Sequence, residues 1–189
     1  KWSEGSTTAY YYSPSAYQRT GPGNGLDGKL KFDLTKFNQS YFDRLRQRVM
    51  DAGNRGIYVS VQLFEGFSVE DKGYPSTGHR SPWPGHAFNS GNNINGINGD
   101  ANNDGQGTEI QSLAIPAVTS LQESYVKKVI DTVNDLDNVL YEIVNESNGC
   151  GNTVPWQNHM IDFIHSYEAG KAKRHPVGFT VPWPCGNNA

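Results

Sequence analysis

The feature that most constrains this chain is the alternation of amphipathic helices with short apolar strands. Apolar side chains recur every three or four residues in three stretches, which predicts helices at 37–52, 120–136 and 155–169. A run rich in β-branched and aromatic residues follows each of these stretches, which predicts strands at 57–64, 139–144 and 177–181. Short helix-to-strand connections favour parallel strands covered by helices. The sequence therefore predicts a parallel α/β fold.

Two other stretches carry no periodic pattern. Residues 1–33 are rich in Tyr, Ser, Gly and Pro, which predicts an extended surface loop. Between 65 and 119 Gly, Asn, Asp, Ser and Pro dominate, and so long a loop inside a compact domain usually has a function. The capping-box pattern Ser120–Glu123 predicts where the next helix begins. We expect one domain over 1–189 with a loop insertion at 65–119.

Length, charge and apolar content argue against several functions. A chain of 189 residues can bury one hydrophobic core. Its net charge of -3 gives no basic surplus for a phosphate backbone, so we expect no nucleic acid as a partner. We also expect no membrane, because no run approaches the roughly 20 apolar residues that cross a bilayer. Since the chain begins at Lys1 with neither an initiator Met nor a signal peptide, we expect it to start inside a longer gene product. The missing signal does not bear on export, and we expect the parent protein to be secreted or periplasmic.

Carboxylates and aromatic residues follow the predicted strands. Glu65 comes directly after the first strand, Glu146 closes the second, and Trp183 follows the third. Cleavage of a glycosidic bond needs a protonated carboxyl group and a second carboxylate. Sugars also need flat apolar surfaces, which Trp83, Trp156 and Trp183 could provide. The alternatives are that Glu146 is a helix cap or a solvated loop residue, and that Glu65 is a rim residue rather than a substrate ligand.

The segment Asn138–Glu146, which ends in Asn145-Glu146, resembles the fourth-strand motif of a large clan of (β/α)8-barrel retaining glycoside hydrolases that includes the cellulase-like family. Residues 33–66 are similar, with less specificity, to apiosidase-like bacterial glycosidases. The resemblance implies a partial TIM barrel that contains strands three to five. It also implies that Glu146 is the general acid/base and that Asn145 hydrogen-bonds the sugar 2-hydroxyl.

The same resemblance implies an incomplete catalytic pair. The nucleophile of the clan closes a seventh strand, and a whole barrel needs about 250 residues. The nucleophile would then lie outside these 189 residues, and we expect the isolated fragment to be inactive. The resemblance implies no required cofactor.

The acidic segment at 100–105 is similar to the first half of a calcium loop. Asp100, Asn102 and Asp104 follow the pattern D-x-N-x-D-G, whose alternate oxygens can converge on one cation. The bidentate Glu expected at the twelfth position is replaced by Gln111. Two interpretations stay open, a structural calcium ion that fixes the long loop or a turn that binds no metal.

The two cysteines, Cys150 and Cys185, each follow the end of a predicted strand. In an exported protein their loops could bring the sulfurs within disulfide reach, whereas in the cytosol both would be free thiols. No Ser-His-Asp order or nucleophile elbow is present, which disfavours an esterase.

Together these features predict a glycoside hydrolase that cleaves O-glycosidic bonds of a polysaccharide or oligosaccharide, with retention of configuration. Two alternatives remain open at this point. One is a noncatalytic carbohydrate-binding domain that keeps the same scaffold and aromatic residues. The other is a calcium-stabilised adhesion domain.

Overall fold

A computed structural model describes residues 13–70, 82–147 and 153–180. Two antiparallel strands come first, β1 (Tyr17–Asn24) and β2 (Leu30–Phe37). Helices and parallel strands then alternate in the order α1 (Gln39–Gly53), β3 (Val59–Glu65), α2 (Pro116–Val133), β4 (Val139–Asn145), α3 (Thr153–Glu168) and β5 (Val177–Gly178). Two short 3-10 turns lie between β3 and α2, at Trp83–Gly85 and Thr108–Gln111.

The parallel sheet has the order β3-β4-β5. Val59 is paired with Val139 at the start of β3, and Glu65 is paired with Asn145 at its end. Strands β3 and β4 therefore run in register along their whole length. Tyr141 of β4 is paired with Val177 of β5. The parallel pairing of these strands agrees with the prediction from the sequence.

The main hydrophobic core lies between this sheet and the three long helices. Alternate residues of β3 and β4 are buried in it, as the period of two in a strand requires, and they pack with buried residues of all three helices. The core consists of Phe42, Val49, Val61, Leu63, Tyr125, Val126, Val129, Ile130, Val133, Val139, Tyr141, Ile143, Val144, Trp156, Met160 and Ile164. Among the described residues, no helix is long and apolar enough to cross a membrane.

A second core attaches the β1–β2 hairpin to the segment between β3 and α2. Its buried residues come from the hairpin, from that segment and from the first turn of α2, namely Tyr17, Phe32, Leu34, Val69, Trp83, Phe88, Ile110 and Val118. Backbone hydrogen bonds reinforce the contact, because Phe32 N–H donates to Asn92 O at 2.7 Å and Ile94 N–H donates to Phe32 O at 2.9 Å.

The prediction of a TIM-barrel fold is wrong. The described residues form a three-stranded parallel sheet and a separate two-stranded antiparallel hairpin, with three long helices. Alternation of helices and apolar strands is common to all parallel α/β folds. Closure into a barrel depends in addition on strand number, tilt and stagger, which the local pattern of side chains does not encode.

The prediction of a surface loop over 1–33 is also wrong for its described part, since β1 and the first half of β2 lie there. The glycines that indicated a loop are accommodated inside the hairpin. Gly21 and Gly23 have φ of 68° and 77°, and the strand register shifts between Arg19 and Asn24. Such an irregularity is a normal place for glycine in an antiparallel pair.

Helix starts differ from the predictions as well. Strand β2 continues to Phe37, so α1 begins at Gln39. Helix α2 begins at Pro116, four residues before the predicted start, with Ile115 as its N-cap. Proline is well suited to the first helical turn, where its missing N–H has no partner to lose. The capping-box pattern at Ser120–Glu123 therefore lies inside the helix.

Candidate functional site

Three of the predicted site residues meet at the carboxyl edge of the parallel sheet, where β3 and β4 end. Glu65 is paired in register with Asn145, and Glu146 is the next residue along the chain. Asn145 is half-buried and Glu146 is exposed. The neighbouring strands thus bring the backbone positions of these three candidate residues to one edge of the sheet.

The two strand ends contact each other through their backbones. Gly66 N–H donates to Asn145 O at 2.7 Å. A Cβ atom added to Gly66 would lie 2.2 Å from the carbonyl oxygen of Glu146, so no larger residue fits without movement of the backbone. Gly66 therefore sets the close approach of the chain after Glu65 to the chain at Glu146.

Glu146 has a strained backbone conformation. Its φ is 49°, and among the described non-glycine residues only Asn103, with φ of 60°, is also positive. Asparagine tolerates this left-handed region, whereas for other residues it costs about 1–2 kcal/mol. Strain of this kind concentrates at functional sites, where the surrounding structure holds it in place. The strained backbone thus identifies Glu146 as a candidate functional residue, independently of the chemistry of its side chain.

Glu65 is half-buried, and its side chain is fixed by its own strand and loop. One carboxylate oxygen accepts the backbone N–H of Phe67 at 3.0 Å, and the other accepts the side-chain amide of Gln62 at 2.9 Å. Its backbone oxygen accepts hydrogen bonds from Ser68 and Gln111. The carboxylate is therefore held in one orientation at the edge of the sheet.

A cavity of about 570 Å³ lies beside Glu65, between the hairpin and the parallel sheet. We call it the hairpin cavity. Its walls come from the hairpin, the end of β3, residues 82–88 and α2. The lining residues are Ser15, Ala16, Tyr17, Arg19, Lys29, Phe32, Phe64, Glu65, Ser68, Pro82, Gly85, His86, Ala87, Phe88 and Tyr125. A cavity of this size falls within the range of small-molecule sites, which are mostly apolar with few polar groups.

Five of the described Phe and Tyr residues line the hairpin cavity, and four of them pack in two pairs. The rings of Tyr17 and Phe88 lie 6.1 Å apart, and those of Phe64 and Tyr125 lie 5.8 Å apart. Phe32 carries the guanidinium of Arg19 over its face, 3.8 Å from the ring centroid. Burial raises the pKa of the Tyr17 hydroxyl well above its ordinary value, which keeps it a neutral phenol. The walls thus combine flat apolar faces with neutral hydroxyls.

Among the described residues, the charged ones that line the cavity are Arg19, Lys29 and Glu65. Arg19 is bonded through both terminal nitrogens to Asp27, at 3.2 and 2.6 Å, and also donates to Leu30 O at 2.8 Å. Its charge is therefore balanced within the hairpin.

Of the predicted tryptophan platforms, the two that the structure describes, Trp83 and Trp156, are buried in the cores and do not line this cavity. Trp83 is buried in the second core, and a Cβ atom on Gly107 would lie 2.2 Å from its ring. Trp156 is buried in the main core and donates its indole N–H to Gln122 Oε1 at 3.0 Å. Trp183 lies outside the described residues. Since tryptophan serves both cores and sugar sites, residue type alone did not separate the two roles.

The aromatic wall of the cavity was not predicted from the sequence, because Tyr17, Phe32 and Phe88 belong to stretches that were interpreted as loops. One signal was present. Leu30, Phe32 and Leu34 alternate with Lys31 and Asp33, the pattern of a half-buried strand. That alternation would have placed Phe32 on an inward-facing position of β2.

The calcium-like segment forms a closed turn in the structure. Asp100 accepts the backbone N–H groups of Asp104 and Gly105, both at 3.0 Å. Asn102 accepts Asp104 N–H at 2.9 Å, and Asp104 accepts Gln106 N–H at 2.8 Å. Within the described part of the chain, no three His, Cys, Asp or Glu residues are grouped to hold a metal. The predicted disulfide, Cys150 with Cys185, lies outside the described residues.

Fold and site together define a small mixed α/β domain with an aromatic cavity between a hairpin and the carboxyl edge of a parallel sheet. The chain belongs to the family described as domain of unknown function DUF6298, whose model matches residues 2–182. No curated protein and no solved structure matches the chain. The family description assigns no activity.

Proposed function

We propose that this protein is a glycoside hydrolase that binds a polysaccharide or oligosaccharide at the hairpin cavity. The observation that carries the proposal is the position of Glu65, Asn145 and Glu146 at one sheet edge, with Glu65 also lining an aromatic cavity. Aromatic faces suit the C–H surfaces of sugars, and carboxylates supply the acid/base chemistry of glycosidic cleavage.

In this proposal each of the three residues has its own role. Glu146 is the general acid/base that protonates the leaving oxygen while a second carboxylate, which is none of these three residues, attacks the anomeric carbon. Asn145 donates a hydrogen bond to the sugar 2-hydroxyl, and such bonds strengthen in the transition state. Glu65, already oriented by Phe67 and Gln62, binds a sugar hydroxyl at the mouth of the cavity. The chemistry requires no cofactor.

A noncatalytic carbohydrate-binding protein is the second candidate, and a specific observation favours it. Glu65 lines the hairpin cavity, whereas Glu146 is exposed and does not line it. A general acid gains its raised pKa from burial or from a nearby carboxylate. An exposed Glu146 fits an edge residue of a binding site as well as it fits a catalytic acid.

The experiment separates the two candidates with one substitution. The protein as its native gene encodes it is tested for binding and hydrolysis on a panel of arabinoxylan, xyloglucan, galactomannan, laminarin and homogalacturonan. For a hydrolase, Glu146→Gln lowers kcat at least about 100-fold, the usual contribution of general acid catalysis, and leaves binding within about twofold.

The matched control is Asp162→Asn, which makes the same carboxylate-to-amide change at an exposed position of α3. It is expected to leave both binding and hydrolysis unchanged. Binding without any hydrolysis by the wild type would support the second candidate. No binding to any member of the panel would contradict both.

A further inference from the structure

His86 lines the hairpin cavity with a half-buried ring, directly after the 3-10 turn Trp83–Gly85. The backbone N–H of Phe88 donates to its Nδ1 at 3.1 Å. A ring nitrogen that accepts a hydrogen bond carries no proton, so in the neutral ring the proton lies on Nε2. Within residues 13–70, 82–147 and 153–180, Nε2 has no hydrogen-bond partner of its own. It is the polar atom of this ring that remains available to a ligand.

Neighbouring groups keep this ring neutral. The ring of Trp83 stacks on it at 5.1 Å and 25°, and the ring of Phe88 lies at 5.4 Å. Burial lowers the pKa of His86 to about 4. Of the described charged residues that line the same cavity, Arg19 is paired with Asp27, and Lys29 and Glu65 carry opposite charges.

The position of His86 is fixed through a buried asparagine. Asn92 donates from its side-chain amide to His86 O at 2.8 Å and to Pro84 O at 2.7 Å. Its side-chain oxygen accepts Leu26 N–H from the hairpin at 2.8 Å. Asn92 is fully buried, and it binds the turn that carries His86 to the hairpin. A donor held in this way loses little conformational freedom when a ligand binds.

We propose that His86 is a specificity-determining residue of the hairpin cavity, where its neutral imidazole donates from Nε2 to an oxygen acceptor of the ligand. This inference rests on the proposed function for the identity of the ligand, a sugar that presents a hydroxyl or ring oxygen. The Nε2 donor selects ligands that place an acceptor at this point of an otherwise aromatic wall. A ligand with a second donor there leaves two N–H or O–H groups facing each other, which is unfavourable in a poorly hydrated site.

The first measurement needs no ligand. Nitrogen NMR of histidine-labelled protein, with the signal assigned through His86→Asn, is recorded at about pH 7 and about pH 5.5, on both sides of the ordinary histidine pKa. The expected result at both pH values is a neutral ring with the proton on Nε2. A proton on Nδ1, or an imidazolium at the lower pH, would overturn the proposal whatever the polysaccharide panel shows.

The second measurement uses two variants with different chemistry. His86→Asn keeps an acceptor for Phe88 N–H near the place of Nδ1 but has no donor at Nε2. His86→Gln places an amide donor near Nε2. We expect affinity for the polysaccharides that bind the wild type to fall about tenfold in the Asn variant, and less than about threefold in the Gln variant.

Equal losses in the two variants, or no loss in either, would overturn the role of the donor. Thermal unfolding of both variants checks that the cavity still folds. If the wild type binds no polysaccharide of the panel, the proposed function is wrong, and a sugar is not the ligand of the hairpin cavity. The NMR result then decides separately whether His86 is the donor that the geometry indicates.

Discussion

The two edges of the parallel sheet use glutamate in opposite ways. At the amino edge, Glu168 from the end of α3 is fully buried, and it lies against His175, which comes just before β5. At the carboxyl edge, Glu65 is half-buried beside a cavity, and Glu146 is exposed with a strained backbone. At the amino edge, the carboxylate makes its hydrogen bonds inside the fold. At the carboxyl edge, the carboxylates lie near solvent.

The amino edge contains a closed network. Glu168 Oε1 lies 2.8 Å from His175 Nδ1 and accepts the side-chain amide of Asn134 at 3.0 Å. The other oxygen of Glu168 accepts His175 N–H at 2.8 Å. His175 Nε2 lies 2.9 Å from the backbone oxygen of Leu136. A carbonyl oxygen only accepts hydrogen bonds, so Nε2 carries a proton. The network joins the segments that lead into β4 and β5.

Burial and hydrogen bonding distinguish structural from functional carboxylates at these two edges. A buried carboxylate whose oxygens are all bonded is part of the framework, because removal of one partner leaves a buried charge without compensation. A carboxylate that is half-buried beside a cavity, or exposed on a strained backbone, remains accessible to a ligand. By this criterion Glu168 is structural, and Glu65 and Glu146 are the candidates for function.

The largest expected effect is on stability at the amino edge. Glu168→Gln breaks a buried pair and should lower the free energy of unfolding by about 3 kcal/mol. The matched change at the other edge, Glu65→Gln, should cost less than about 1 kcal/mol because its bonds are partly exposed. Urea denaturation of both variants measures the difference. Similar losses of stability in the two variants would contradict the claim that Glu168 is structural and Glu65 is not.

The next effect concerns the contact between the two strand ends. Gly66→Ala places a methyl group against the backbone of Glu146 and should destabilise the fold by about 2–3 kcal/mol. Gly170→Ala is the control, since a Cβ atom there meets nothing within 4 Å. If the two variants unfold at the same denaturant concentration, the close approach at the carboxyl edge does not exist.

A smaller effect of opposite sign is expected at Glu146. Glycine has no penalty at positive φ, so Glu146→Gly should raise the free energy of unfolding by about 0.5–1 kcal/mol while hydrolysis is lost. Asn103→Gly should change stability less, because asparagine already tolerates its φ of 60°. A loss of stability in Glu146→Gly would show that this residue serves the framework rather than a function.

The smallest effect is expected in the segment 100–105. Its carboxylate and amide oxygens already accept backbone N–H groups, so the turn closes without a cation. Addition of EDTA should therefore leave the Tm unchanged, and addition of calcium should not raise it. A rise of several degrees with calcium would instead support the calcium loop that the sequence allows.

Much of the parallel half of the fold follows from local patterns. Helix α3 and strands β3 and β4 lie within a few residues of their predicted positions, because strong apolar periodicity and burial agree there. The β1–β2 hairpin was not predicted from the sequence, because its glycines favoured a loop and its pairing depends on contacts distant in sequence. The partial TIM barrel was predicted from resemblance, and no local pattern specifies a barrel.

The candidate site was likewise predicted only in part. Glu65, Asn145 and Glu146 could be predicted because strand ends are visible in the sequence and parallel strands end at one edge. The cavity beside them could not, because Tyr17, Phe32 and Phe88 come from segments that meet only in the folded chain. The role of Trp83 in the second core depends equally on such contacts.

The most direct test of the account is an NMR titration of the protein with an oligosaccharide of whichever panel polysaccharide binds best. The account predicts chemical-shift changes at the hairpin cavity and the carboxyl edge, including Tyr17, His86 and Glu65. It predicts no change around Glu168 and His175. Changes centred on the amino edge, or spread evenly over the surface, would contradict the claim that the carboxyl edge and its cavity form the functional site.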